Sequence, residues 1–167
     1  MSQVSLINRI DQELTKIRES IAQVQRLLEK VKQTGDQDYI GTIALHLHSF
    51  YNGVERIFYG VAKSVDNSVP ESEDWHRQLL IQMTLSIPNI RPALIREQTY
   101  HELNQFRGFR HVVRSNYAYE LEAERVLALA EKLIVANQLF LQDWQQFGDE
   151  LKSSKQKWDQ PSKDENI

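Results

Sequence analysis

Apolar residues recur at steps of three and four from near the start of the chain: Ile7, Ile10, Leu14, Ile17, Ile21, Val24, Leu28 and Val31. This spacing predicts one long helix with a narrow seam, packed within the chain's own bundle or against another chain. Gly35 and Asp36 supply a stop and a new start. A second helix is expected from about Asp38 to Val65, burying Ile40, Ile43, Leu47, Tyr51, Val54, Phe58, Val61 and Val65. DNSVPESED, residues 66–74, is expected to be a loop, with a short third helix following from Trp75 to about Leu85. Two prolines mark the next break, and Pro92 suits the first turn of a fourth helix ending near Asn116. A fifth begins near Glu120 with a face of Leu127, Ala130, Ile134, Leu141, Trp144, Phe147 and Leu151.

No segment alternates apolar and polar residues at the period of two that a strand needs. The expected fold is therefore all-α, an antiparallel up-and-down bundle of about five helices over residues 1–151, with a polar tail at 152–167 expected to be mobile. A chain of 167 residues fits one domain, and its apolar and charged fractions are those of a folded protein. A net charge of −3 gives no bulk attraction to nucleic acid or lipid, so phosphate binding would need a local patch. The absence of cysteine removes disulfides and thiolate chemistry and fits the cytoplasm. The N-terminal stretch has no continuous apolar run, so neither a signal peptide nor a membrane span is expected.

Conventional phosphate loops, dinucleotide fingerprints, nucleophile elbows and zincin motifs are missing. His46 and His48 stand about 200° apart around a helix, and His76 and His101 stand alone in sequence, so neither metal nor cofactor is expected. Two polar groupings remain. On the second helix His48, Asn52 and Glu55, with Tyr51 beside them, form a strip at spacings of three and four. On the fourth, Arg107, Arg110, His111 and Arg114 gather within about two turns, with no acid between Glu102 and Glu120. Such arginines either face solvent and pair with acids from other helices, or bind a phosphate that offsets their mutual repulsion.

At these residues the sequence resembles the HEPN helical proteins, and within them the HepT-like ribonuclease toxins, whose mark is written RxxxxHxY. Arg110, the polar His111 and Tyr117 match that mark, while Ser115 stands where the family has histidine. LHSFYNGVERIF (Leu47 to Phe58), Trp75-His76-Arg77 with Leu79 and Leu80, and Arg91-Pro92 look like the same group in the same order. The resemblance implies a metal-independent endoribonuclease working as a homodimer in a toxin–antitoxin type system. In it Arg110 would stabilise the charge on a phosphorane-like transition state, and Arg107 and Arg114 would bind RNA. Ser115 cannot act as a base at neutral pH, and His111, one turn back, is the candidate replacement, so weakened or lost activity is expected. The resemblance also implies a minimal nucleotidyltransferase antitoxin that transfers AMP to the motif tyrosine, making Tyr117 the candidate acceptor. The alternative is a non-catalytic module that binds nucleotide or RNA, or docks that partner.

Overall fold

The computed structural model describes residues 3–115 and 121–158, with side chains for 6–114 and 121–153. Among them run α1 (Gln3–Thr34), a 3-10 turn (Gln37–Tyr39), α2 (Ile40–Ser64), α3 (Trp75–Met83), α4 (Glu97–Ser115) and α5 (Ala123–Trp158). The described residues form no strand, only an isolated bridge between Ile87 and Arg91. The all-α bundle expected from the apolar periodicity is what forms.

Side-chain pairings give the helix directions. Leu6 lies against Gly60, Glu13 pairs with Arg56, and Ile17 meets Gly53, so α1 and α2 run antiparallel. Lys32 near the end of α1 pairs with Glu131 early in α5, so α5 descends from the end at which α1 finishes. Arg96 reaches Asp143 and Gln105 reaches Lys132, so α4 runs antiparallel to α5. The four long helices thus alternate up and down. Most of the expected α1 seam packs within the bundle: Ile10, Ile17, Ile21, Val24 and Val31 are buried and Leu14 and Leu28 half-buried, while Ile7 is exposed and Leu27, outside the expected seam, is buried as well. A β-carbon at Gly53 would stand 2.7 Å from Ile17 Cγ1, so glycine lets α1 and α2 approach this closely. Edge-on aromatic pairs, Phe50 with Phe106 and Phe58 with Phe140, join α2 to α4 and α5.

Several boundaries differ from expectation, each for a physical reason. The fourth helix starts at Glu97, and Pro92 lies outside it. Residues 84–96 are instead an irregular strap around Arg91, whose five N–H groups are all used. Two meet Asp66, at 2.5 and 2.8 Å, and three meet the carbonyls of Leu85, Pro92 and Gln82. The buried carboxylate of Asp143 then receives the Arg96 amide and guanidinium and the Thr99 hydroxyl, fixing where α4 begins. The third helix ends at Met83, whose carbonyl accepts from the amides of Leu94 and Ile95.

The fifth helix starts at Ala123 rather than near Glu120, and runs on to Trp158 instead of ending near residue 151. Its buried stripe is Val126, Leu129, Leu133, Ala136, Phe140 and Phe147, whereas Ile134 and Leu141 are 41% and 39% exposed. Two apolar stripes compete on this helix, and the buried Asp143 interrupts the one that packs, hiding it from a hydrophobic pattern.

Candidate functional site

The polar strip of α2 and the arginine run of α4, separate in sequence, meet at one place, and α3 adds a third member. His48, Asn52 and Glu55 project from one side of α2 at the helical spacing that aligns them. Arg110 comes across from α4: its Nε donates to Asn52 Oδ1 at 3.2 Å, and its Nη1 donates to His76 Nε2 at 2.9 Å. His76 Nδ1 stands 2.7 Å from Glu55 Oε2. Asn52 Nδ2 completes the line with His48 Nε2 at 2.9 Å. Glu55, His76, Arg110, Asn52 and His48 are thus one hydrogen-bonded chain over three helices.

Proton positions follow from the partners, because a guanidinium can only donate. His76 Nε2 must accept from Arg110, so its proton sits on Nδ1 and is donated to the Glu55 carboxylate. Asn52 must turn its oxygen to Arg110, so its NH2 faces His48 and His48 Nε2 accepts. The neutral His48 then carries its proton on Nδ1, a buried atom with no partner among the described residues. Burial holds the His48 pKa below the ordinary histidine value, and the positive charges of Arg110, Arg114 and Arg56 lower it further. His76 is also held by its neighbours: Trp75 stacks on it at 3.6 Å between ring centroids, and Tyr59 packs edge-on against Trp75. Its side chain keeps 21% of its surface exposed while that of Glu55 keeps 9%, so the imidazole is reachable and the carboxylate behind it is dry.

The other arginines frame this line. Arg107 is half-buried and donates to Asn104 Oδ1, whereas Arg114 is exposed. Among the described residues none of Arg107, Arg110 and Arg114 pairs with a carboxylate. Tyr51 departs from the strip it was grouped with. It is fully buried, its hydroxyl has no partner among the described residues, and burial raises its pKa, with the Glu55 charge acting the same way. Tyr51 is a core residue with its phenol beside the network rather than a member of it.

His111, the expected replacement base, is exposed at the surface of α4. The histidine that meets Arg110 is His76, which does not stand alone once the chain folds. The Ser115 side chain and Tyr117 lie outside the described residues. No group of three or more acidic, histidine or cysteine side chains among the described residues is arranged to hold a metal, and no helix there is long and apolar enough to cross a membrane.

Sequence reasoning also missed Asp66 with Arg91, and Asp143 with Arg96 and Thr99. Their partners lie 25 or more residues apart, at no spacing a pattern could register. The signal available for His76 was Trp75-His76-Arg77 itself, an aromatic-flanked histidine at a helix start.

A family model described as HepT-like protein matches residues 42–151, a span that holds α2 from its third residue on, all of α3 and α4, and every member of the network. No curated protein and no solved structure matches the chain.

Proposed function

The chain belongs to the HepT-like proteins, and from that premise we propose that it is the HEPN component of a toxin–antitoxin type system that binds RNA phosphates through Arg110. The observation that carries this reading is the placement of Arg110: oriented by Asn52 Oδ1 and His76 Nε2, and paired with no carboxylate among the described residues. An arginine fixed by neutral acceptors keeps its full charge and has donors left for an anion. Arg107 and Arg114 flank it on α4 and extend the positive surface along an RNA backbone. Ribonuclease activity is weakened, because Ser115 occupies the place of the family's proton-carrying histidine.

The binding test is fluorescence anisotropy with single-stranded RNA over a range of salt. Affinity should fall with salt, and Arg110→Ala should weaken binding about 10- to 100-fold and reduce the log–log slope by about 0.7. Binding unaffected by Arg110→Ala would remove the central residue from the reading.

The partner is a minimal nucleotidyltransferase that transfers AMP from ATP to the Tyr117 hydroxyl, releasing pyrophosphate, and two copies of the chain form the working unit. Incubation with the cognate transferase, ATP and magnesium should add one AMP mass at Tyr117; an unmodified tyrosine would count against that role. Ser115 also favours a second reading, a module that binds RNA or docks the transferase without cutting. RNA binding with no trace of cleavage selects it.

A further inference from the structure

We propose that His76 and Glu55 form the proton-handling pair of this protein's ribonuclease chemistry, His76 acting on the substrate and Glu55 positioning it. This rests on the RNA-binding reading of Arg110 and adds the residue that would do the chemistry there.

Three observations converge on His76. Its Nε2 is 2.9 Å from Arg110 Nη1, so a phosphate gripped by Arg110 lies within one group's width of the imidazole. Its Nδ1 is tied to a carboxylate at 2.7 Å, the arrangement that fixes the tautomer with a basic Nε2 and stabilises the imidazolium formed when Nε2 takes a proton. The Trp75 ring packs on the imidazole at a 31° tilt, and the side chain stays partly exposed while Glu55 is buried. His111, by contrast, is exposed on α4.

In the free protein the lone pair of Nε2 is occupied by Arg110. A phosphodiester changes this, because an anionic oxygen is a stronger acceptor than a neutral imidazole. The Nη1 hydrogen bond passes to the phosphate, and Nε2 is left facing the ligand. The ribose 2′-hydroxyl beside that phosphate then donates its proton to Nε2 as its oxygen attacks phosphorus. The O2′–P bond forms and the P–O5′ bond breaks. The imidazolium returns the proton to the departing 5′ oxygen, leaving a 2′,3′-cyclic phosphate and a free 5′-hydroxyl. No co-reactant is consumed, and His76 ends as it began. The wild-type active site thereby holds its base in reserve behind Arg110, which fits slow cleavage.

The test uses the full chain and a labelled oligoribonucleotide, measuring anisotropy and cleavage on the same samples. Slow cleavage to cyclic-phosphate ends is expected, absent on an all-deoxy substrate. His76→Gln retains an acceptor for Arg110 but cannot carry a proton, so it should keep RNA affinity within about twofold while cleavage falls about 100-fold or more. Glu55→Gln should lower kcat about tenfold or more with KM unchanged, a split that a merely loosened fold would not give. His101→Ala should cut like the wild type. Circular dichroism melts establish that each variant is folded, and His76→Ala provides a second substitution should glutamine misfold. Cleavage that survives in folded His76→Gln or His76→Ala, or that is lost in His111→Ala instead, overturns the assignment. RNA bound tightly but never cut by the wild type overturns it too, while leaving the binding reading in place. Failure to bind RNA at all removes the binding reading itself.

Discussion

Arg110 is decided by what surrounds its nitrogens. A guanidinium facing two carboxylates would be neutralised and structural; facing an amide oxygen and an imidazole nitrogen, it is aimed without being discharged. The same donor-only chemistry propagates through Asn52 and leaves the half-buried His48 beside positive charge. His48 therefore has a measurable consequence. Its pKa in the folded state lies below 6.5, so below that pH the unfolded chain takes up a proton that the folded chain resists. Stability from this group is intact above about pH 6.5 and is lost as pH falls through the ordinary histidine pKa toward the lower folded value. His48→Gln keeps an acceptor for Asn52 and should flatten part of the fall in Tm between about pH 7.5 and pH 5. His46, whose pKa burial also lowers, supplies a separate comparison through His46→Gln. Melting curves for His48→Gln that fall with pH as steeply as the wild type's would contradict this account of the network's protonation.

Among the elements, the strap between α3 and α4 carries the largest concealed interaction. The side chains of Arg91 and Asp66 have no exposed surface, and Gln82 adds a 2.7 Å hydrogen bond to the same carboxylate. Arg91→Leu strands the buried carboxylate and three carbonyls and should destabilise the protein by about 3–5 kcal/mol in urea melts, with Asp66→Leu/Arg91→Leu costing less than Arg91→Leu alone. Equal losses in the single and double variants would mean that the stranded charge is not what matters. This strap marks where the sequence stops being legible. The four long helices follow from apolar spacing, because each hides one continuous stripe on a neighbour. The start of α4 does not, since it is set by Asp143 from another helix; nor does the packed face of α5, since that same aspartate breaks its stripe. The site behaved likewise. Arg110 and the α2 strip were readable at their own spacings, but His76 joins them only through the fold, 21 residues from Glu55 and 34 from Arg110.

On the scale of the whole molecule, the alternating bundle lays the middle of α2 beside the C-terminal half of α4, while the start of α3 brings His76 to complete the line. The matched family span contains α3, α4 and all but the first two residues of α2, and α1 adds a wall of packing against α2 through Ile17 and Gly53. Because the sequence's overall balance is near neutral, the proposed phosphate binding rests on this one surface, where Arg107, Arg110 and Arg114 share a helix. The central claim is that Arg110 exchanges His76 for an RNA phosphate. Nitrogen-15 NMR of the histidine side chains, recorded with and without a non-cleavable 2′-O-methyl oligonucleotide, observes that exchange directly. The account predicts that His76 in the free protein carries its proton on Nδ1 and that its Nε2 resonance shifts on RNA addition, while His101 stays still. A His76 protonated on Nε2 in the free protein, or one whose resonances do not move at saturating RNA, would contradict it.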